Sequence, residues 1–250
     1  DANGDGDIDV SEANAVTTPH FMMIANMADL VYFPNVKHFE CQAIEGQSID
    51  LSMLSQLEYV SFNDFGAGIQ VINLAGLANL KHVDVGGASI STLDVSASIN
   101  TLEHLDISNL YPFGTVNFTA YPNLKHLDCS GMPTSVITVA GMSQLEYLNC
   151  ADNFGPTLDL TGVTNLKYLN CANGDLSSLD VAPLTQLETL ICNNNHISSL
   201  AIDNLTNLQQ LNCSRNTLTS LNVANLTNLT KLECEVNAIP TLAISGLLNL

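Results

Sequence analysis

LEYLNCADNFGPTLDLTGVTN (145–165), LKYLNCANGDLSSLDVAPLTQ (166–186), LETLICNNNHISSLAIDNLTN (187–207) and LQQLNCSRNTLTSLNVANLTN (208–228) are four consecutive versions of one 21-residue phrase. Cys129, Cys150, Cys171, Cys192, Cys213 and Cys234 stand 21 residues apart, each closing the phrase's opening half: LKHLDC, LEYLNC, LKYLNC, LETLIC, LQQLNC and LTKLEC. Such strict spacing makes the repeat, rather than the 250-residue chain, the unit of folding.

Outward from this core, repeats begin at Val36, Leu57, Leu80, Leu102, Leu124, Leu145, Leu166, Leu187, Leu208 and Leu229, and an eleventh opens at Leu250. One repeat cannot bury its own apolar edge, so the stack is stabilised by neighbours, and each inward leucine is worth about 2–5 kcal/mol against alanine. In the second half, Leu179-Asp180-Val181 echoes the in-out-in alternation of Leu169-Asn170-Cys171, which predicts a second short extended segment on the opposite side. The expected fold is a repeat solenoid, mostly β with little helix. The expected division is a leading segment over 1–35 and a repeat domain over 36–250.

The phrase resembles the short bacterial class of leucine-rich repeats, LxxLxCxxNxLxxLxVxxLxx, from about Leu30 to the end. That resemblance implies an arc with a parallel sheet on its concave face and an asparagine ladder at the turn. Asn195, Asn216 and Asn237 occupy the ladder position, whereas Gly174, Met132 and Ala88 replace it elsewhere, so the early turns are expected to be less regular. The cysteines fall at an inward position taken by Val85 and Ile107 in other repeats, so they read as small apolar residues. Stacked strands about 4.7–4.9 Å apart do not bring Cβ atoms to the ~3.8 Å of a disulfide, so free core thiols are expected.

Six basic residues against 25 acidic ones give a net charge of -19, which repels nucleic-acid phosphates and anionic lipid. No apolar run approaches the roughly 18 residues of a membrane span, and the chain reads as soluble with any export signal already removed. Ending at Leu250, the stack is expected to leave an apolar end available for an end-to-end contact.

DANGDGDIDVSE (1–12) matches the EF-hand calcium loop: Asp1, Asn3, Asp5, Gly6, the Asp7 carbonyl, Ile8, Asp9 and the closing Glu12. It resembles the EF-hand-like or dockerin-like loops ahead of repeats in surface proteins of gut Bacteroidetes, which implies structural calcium and an extracellular or cell-surface location. With Asp1 at the first ligand position, the loop is expected to lack its entering helix. Ser11–Thr17 reads as a short exiting helix, and Phe21, Met22, Met23 and Ile24 as apolar cover for the first repeat.

Residues alternating with the inward leucines form columns. The second position runs Lys37, Glu58, Lys81, Glu103, Lys125, Glu146, Lys167, Glu188, an alternating ladder suited to setting register. The third runs His38, Tyr59, His82, His104, His126, Tyr147, Tyr168, then Thr189, Gln210 and Lys231. Beside it, the fifth runs Glu40, Ser61, Asp84, Asp106, Asp128, Asn149, Asn170. Rings supply flat apolar area and the acids supply acceptors, so His82, His104, His126, Tyr147, Tyr168, Asp84, Asp106 and Asp128 are the expected partner-binding residues.

The expected function is non-enzymatic binding of a protein partner on the concave face. A glycan-binding surface protein is the alternative, and a metal-dependent hydrolase on the histidine column stands third. Same-facing ladder neighbours do not converge on one tetrahedral point, and no serine or cysteine completes a nucleophilic triad, so no reaction is proposed.

Overall fold

The computed structural model describes residues 9–18, 20–21, 27–41, 48–62, 70–88, 90, 92–110, 117–132 and 136–250. Two compact units result, Asp1–Gly114 and Thr115–Leu250. Both are leucine-rich-repeat solenoids built on a parallel sheet, with few helical turns among the described residues.

In the first unit, α1 (Val10–Ala15) precedes β1 (His20–Phe21), a 3-10 turn (Met27–Tyr32), β2 (His38–Cys41), β3 (Ser48–Asp50), β4 (Tyr59–Phe62), β5 (Val71–Asn73), β6 (His82–Asp84) and β7 (His104–Asp106). The main sheet runs β1-β2-β4-β6-β7, all parallel. His38 lies opposite Tyr59, Tyr59 opposite His82 and His82 opposite His104. These offsets of 21, 23 and 22 residues equal the local repeat lengths, so an inserted residue is absorbed in the loops and leaves the register intact. Strand β1 adds a rung ahead of the first repeat, pairing His20 with Glu40 and Phe21 with Cys41.

The second unit holds β8 (His126–Asp128), β9 (Tyr147–Asn149), β10 (Tyr168–Asn170), β11 (Thr189–Ile191), β12 (Gln210–Asn212) and β13 (Lys231–Glu233), each parallel to the next at a shift of 21. The middle residue of every strand from β8 to β12 is buried, and the residues on either side are half-buried or exposed. Leucines 127, 148, 169, 190 and 211 are at most 1% exposed, and Cys150, Cys171, Cys192 and Cys213 are buried just past the strands. Period-2 alternation over three residues therefore suffices to sort the core, because the third dimension comes from stacking.

The expected second strand is realised in part. Strands β3 and β5 pair in parallel, and Thr138 bridges Asp159, but Leu179-Asp180-Val181 forms no strand. There Asp180 Oδ1 accepts the Ala182 amide at 3.1 Å. The same local turn recurs at Asp50, Asn73, Asp94, Asp159 and Asn222, each accepting the amide two residues on. Asp50, Asn73 and Asp159 make this turn and still pair with a neighbouring coil, so the Asx turn closes the segment without replacing its pairing.

The turn after each of β6 to β13 takes a positive φ two residues past the cysteine position. Asn109, Asp152, Asn173, Asn194, Arg215 and Val236 adopt φ of 54–60° there, and Gly87 and Gly131 serve in other repeats. Asn and Asp tolerate this region, whereas β-branched valine is strained in it. Replacing exposed Val236 with Asn should stabilise the protein by about 1 kcal/mol in urea denaturation; an unchanged or lower midpoint would show that Val236 carries no strain.

Candidate functional site

The third-position side chains form ladders of stacked rings. In the first unit His38 and Tyr59 lie 3.9 Å apart by ring centroid at 4°, Tyr59 and His82 4.1 Å apart at 15°, and His82 and His104 3.8 Å apart at 12°. The second unit has His126 on Tyr147 at 3.9 Å and 7°, and Tyr147 on Tyr168 at 4.3 Å and 4°. Parallel strands about 4.7–4.9 Å apart dictate this face-to-face approach, since identical rotamers on successive rungs put each ring over the last. One expectation changes as a result. The interior rings do not offer flat faces; each face is covered by a neighbour, and the solvent meets ring edges carrying imidazole nitrogens and phenol hydroxyls.

The fifth-position carboxylates lie beside the rings, as their spacing predicts, but each has local work. Asp106 Oδ1 accepts the Ser108 amide at 2.8 Å, and Asp84 Oδ1 accepts that of Gly86 at 3.4 Å. Asp84 Oδ2 also accepts the Ser61 hydroxyl at 3.3 Å. Asp128 is engaged through both oxygens: Oδ1 accepts the Ser130 amide and hydroxyl at 3.0 and 2.6 Å, and Oδ2 accepts Asn149 Nδ2 at 2.8 Å. These three acids close the turns that end β6, β7 and β8, a role that spacing alone did not reveal.

Ion pairs connect the second-position column: Lys37 to Glu58 at 3.1 Å, Lys81 to Glu58 at 2.6 Å, and Lys167 to Glu146 at 2.6 Å. The Lys81 ammonium, with Lys37 behind it, holds the Glu58 carboxyl below its ordinary range, and Glu146 raises Lys167. All are solvent-exposed, so they favour one register over another rather than supply much stability.

The histidine column does not gather into a metal shell. Imidazole lone pairs lie in the ring plane, so stacked rings point them side by side. Among the described residues, no group of three or more His, Cys, Asp or Glu is placed to hold an ion.

Of the calcium-loop residues, Asp1, Asn3, Asp5 and Asp7 lie outside the described residues, as do Met22, Met23 and Ile24. Asp9 and Glu12 form a reciprocal capping box at the start of α1: Asp9 Oδ1 accepts the Glu12 amide at 2.9 Å and Glu12 Oε2 accepts the Asp9 amide at 3.1 Å. Two carboxylates on one helical turn are hard oxygen donors that fit the last two ligands of such a loop. The segment is tied to the sheet, since Asn35 Nδ2 donates to Asn14 O at 2.8 Å and the amides of Lys37 and His38 donate to Thr17 O at 2.8 and 3.1 Å.

Behind the strands, all seven cysteines are free thiols. Burial pushes the Cys150 thiol up to about 12, with nearby Asp128 adding to it, and Cys171 and Cys192 are also raised by burial. The asparagine ladder has a further member that sequence reasoning missed: Asn153, three residues past Cys150, donates to the carbonyls of Cys129 and Cys150 at 2.9 and 3.0 Å. Its spacing from Cys150 was the signal that could have found it.

No family model matches the chain, and no curated protein matches it. Solved structures do. The functional domain of InlJ from Listeria monocytogenes, described as including a cysteine ladder, is similar over 90% of this chain with a TM-score of 0.75 and 23% identity. This chain spans 54% of that domain's length. The leucine-rich-repeat protein LIC12759 of Leptospira interrogans matches 89% of this chain and 67% of its own, with a TM-score of 0.71 and 21% identity. The ectodomain of the Arabidopsis thaliana receptor kinase GASSHO1/SCHENGEN3, in complex with Casparian strip integrity factor 2, matches 84% of this chain and 31% of its own, with a TM-score of 0.63 and 21% identity. The likeness is one of fold. No helix among the described residues is long and apolar enough to cross a membrane.

The raised thiols have a consequence at alkaline pH. A thiol whose folded pKa lies above its unfolded value stabilises the fold below the unfolded pKa, and that contribution is lost as pH rises toward the folded one. Stability should hold to about pH 8 and then fall from about pH 8.5 upward, where unfolded thiols ionise. Cys150→Val, copying Val85, should cost under about 1.5 kcal/mol at neutral pH and flatten part of the alkaline decline in denaturation midpoints.

Proposed function

We propose that the protein is a non-enzymatic binding module of the bacterial cell exterior that recognises a protein partner through the ring edges of its parallel sheet. The observation that carries this reading is the stacking itself. Sugars bind aromatic side chains through open ring faces, and here the interior faces are covered by rings 3.8–4.3 Å away. What remains is a row of phenol and imidazole edges flanked by amides and carboxylates, which suits the mixed donors and acceptors of a polypeptide. This favours protein over the glycan alternative. A net charge of -19 disfavours phosphate-bearing partners. The exterior location rests on the bacterial repeat class and the calcium loop.

A peptide library displayed on phage tests the surface without requiring the partner's identity. Peptides enriched on the wild type should lose at least about 30-fold in affinity for His126→Ala/Tyr147→Ala/Tyr168→Ala. Undiminished binding to this variant, with its fold verified by circular dichroism, rules the surface out. Enrichment on a glycan array, lost in the same variant, reinstates the sugar reading.

Calcium is proposed as a structural ion at the front, held by Asp1, Asn3, Asp5, the Asp7 carbonyl, Asp9 and Glu12. When bound it neutralises crowded carboxylates and braces the start of α1. Millimolar calcium added to chelator-treated protein should raise the Tm, and Asp5→Ala should abolish the gain; an unchanged Tm on addition refutes the site.

A further inference from the structure

The Lys/Glu column loses its alternation at one place in the second unit. Where the column is intact, a glutamate takes ammonium groups from the rungs on both sides, as Glu58 does from Lys37 at 3.1 Å and Lys81 at 2.6 Å. Glu188 is the column's last glutamate, and the rung after it carries Gln209 where the alternation calls for lysine. On the rung before, Lys167 has its ammonium on Glu146 at 2.6 Å. Among the described residues Glu188 therefore forms no ion pair, and its carboxylate accepts only from Gln209 Nε2, at 3.4 Å.

This carboxylate borders a groove of about 400 Å³ lined by Glu188, Asn207, Gln209, Asn228, Thr230 and Asn249. Most donors of the lining are spent on the backbone. Asn207, Asn228 and Asn249 give Nδ2 to the carbonyls of Thr185, Thr206 and Thr227 at 3.0, 2.9 and 3.0 Å, and the Thr230 hydroxyl donates to the Gln209 carbonyl at 3.0 Å. With Nδ2 engaged in this way, the three amide oxygens are left over, and none accepts a hydrogen bond from the described residues. A carboxylate thus stands beside a row of acceptors, with no basic side chain in the lining.

We propose, on the basis of the protein-partner reading, that the groove receives a basic side chain of the bound polypeptide, arginine or lysine, whose cation meets Glu188 where the ladder lacks its lysine. Ammonium and guanidinium groups carry donors and no acceptor, which matches a lining whose unused atoms are acceptors. An anion would meet Glu188 with like charge, and an apolar side chain would strip water from the acceptors without replacing its hydrogen bonds. The volume lies within the ~300–1,000 Å³ of ligand pockets, and a net charge of -19 draws cationic chains toward the surface. Glu188 directly precedes Thr189, the Cα partner of Tyr168, so a chain lying along the ring edges of the second unit reaches it.

Titration of Nα-acetyl-arginine amide into the nitrogen-15-labelled whole chain, followed by NMR, tests the site. The side-chain amide signals of Asn207, Gln209 and Asn228 should move with this probe and stay still with its citrulline counterpart, which carries a neutral urea in place of the guanidinium. Glu188→Gln should weaken the response at least about 10-fold, and Gln209→Lys, which restores the ladder's own cation, should block it. Both residues are exposed, so neither change removes core packing. No movement, equal movement with citrulline, undiminished binding by Glu188→Gln, or the same movement on adding calcium chloride alone overturns the assignment. The response should survive His126→Ala/Tyr147→Ala/Tyr168→Ala; its loss there would put the cation on the rings and overturn the groove as well. Because the probe is not a peptide, a failed groove leaves the phage test of the ring edges standing, and a failed phage test leaves the arginine response readable.

Discussion

Everything in this protein hangs on one constraint: a coil of about 21 residues cannot cover its own leucines, so each must lie in register on the next. Register is expressed by the strand hydrogen bonds, and residues one repeat apart become Cα partners, as Leu148, Leu169 and Leu190 do. Once that translation exists, any residue type recurring at one position becomes a column. The thiol, ring, Lys/Glu and asparagine ladders are all consequences of this single operation.

Columns turn weak interactions into specific ones. An exposed Lys–Glu pair contributes little alone, but a shift by one repeat would set Lys against Lys and Glu against Glu. Buried asparagines act differently: they satisfy carbonyls at the turn that water cannot reach, where an unpaired group is costly. The core selects small and branched apolar residues, which is why valine, isoleucine and cysteine interchange at positions 85, 107 and 129.

Much of the fold could be read directly. The 21-residue period predicts the parallel strands, and the in-out alternation of Leu169-Asn170 predicts which side chains are buried. Less visible was which coils pair at the back, where Ser48–Asp50 and Val71–Asn73 form strands and Leu179-Asp180-Val181 does not. Strand β1 was equally hidden, because His20 and Phe21 belong to no repeat and pair only by lying next to β2. Asn153 carried the right spacing but was masked by the variety of residues at the turn position of its neighbours.

Taken by itself, the sequence determined the translation: which residues share a column, which columns face inward, and that the cysteines from Cys129 to Cys213 fall in the core, while Cys234 in the last complete repeat is half-buried. Those facts depend on period and polarity, both properties of a one-dimensional string. Only the tertiary structure decided what the members of a column do to each other. It laid His82 on His104 and Tyr147 on Tyr168 so that ring edges face outward, turned Asp106 and Asp128 to the turns behind their own strands, and brought the Asn153 amide onto the carbonyls of Cys129 and Cys150. Rotamer, ring plane and hydrogen-bond direction are set by the few ångströms between stacked strands, a distance that no spacing in the chain encodes.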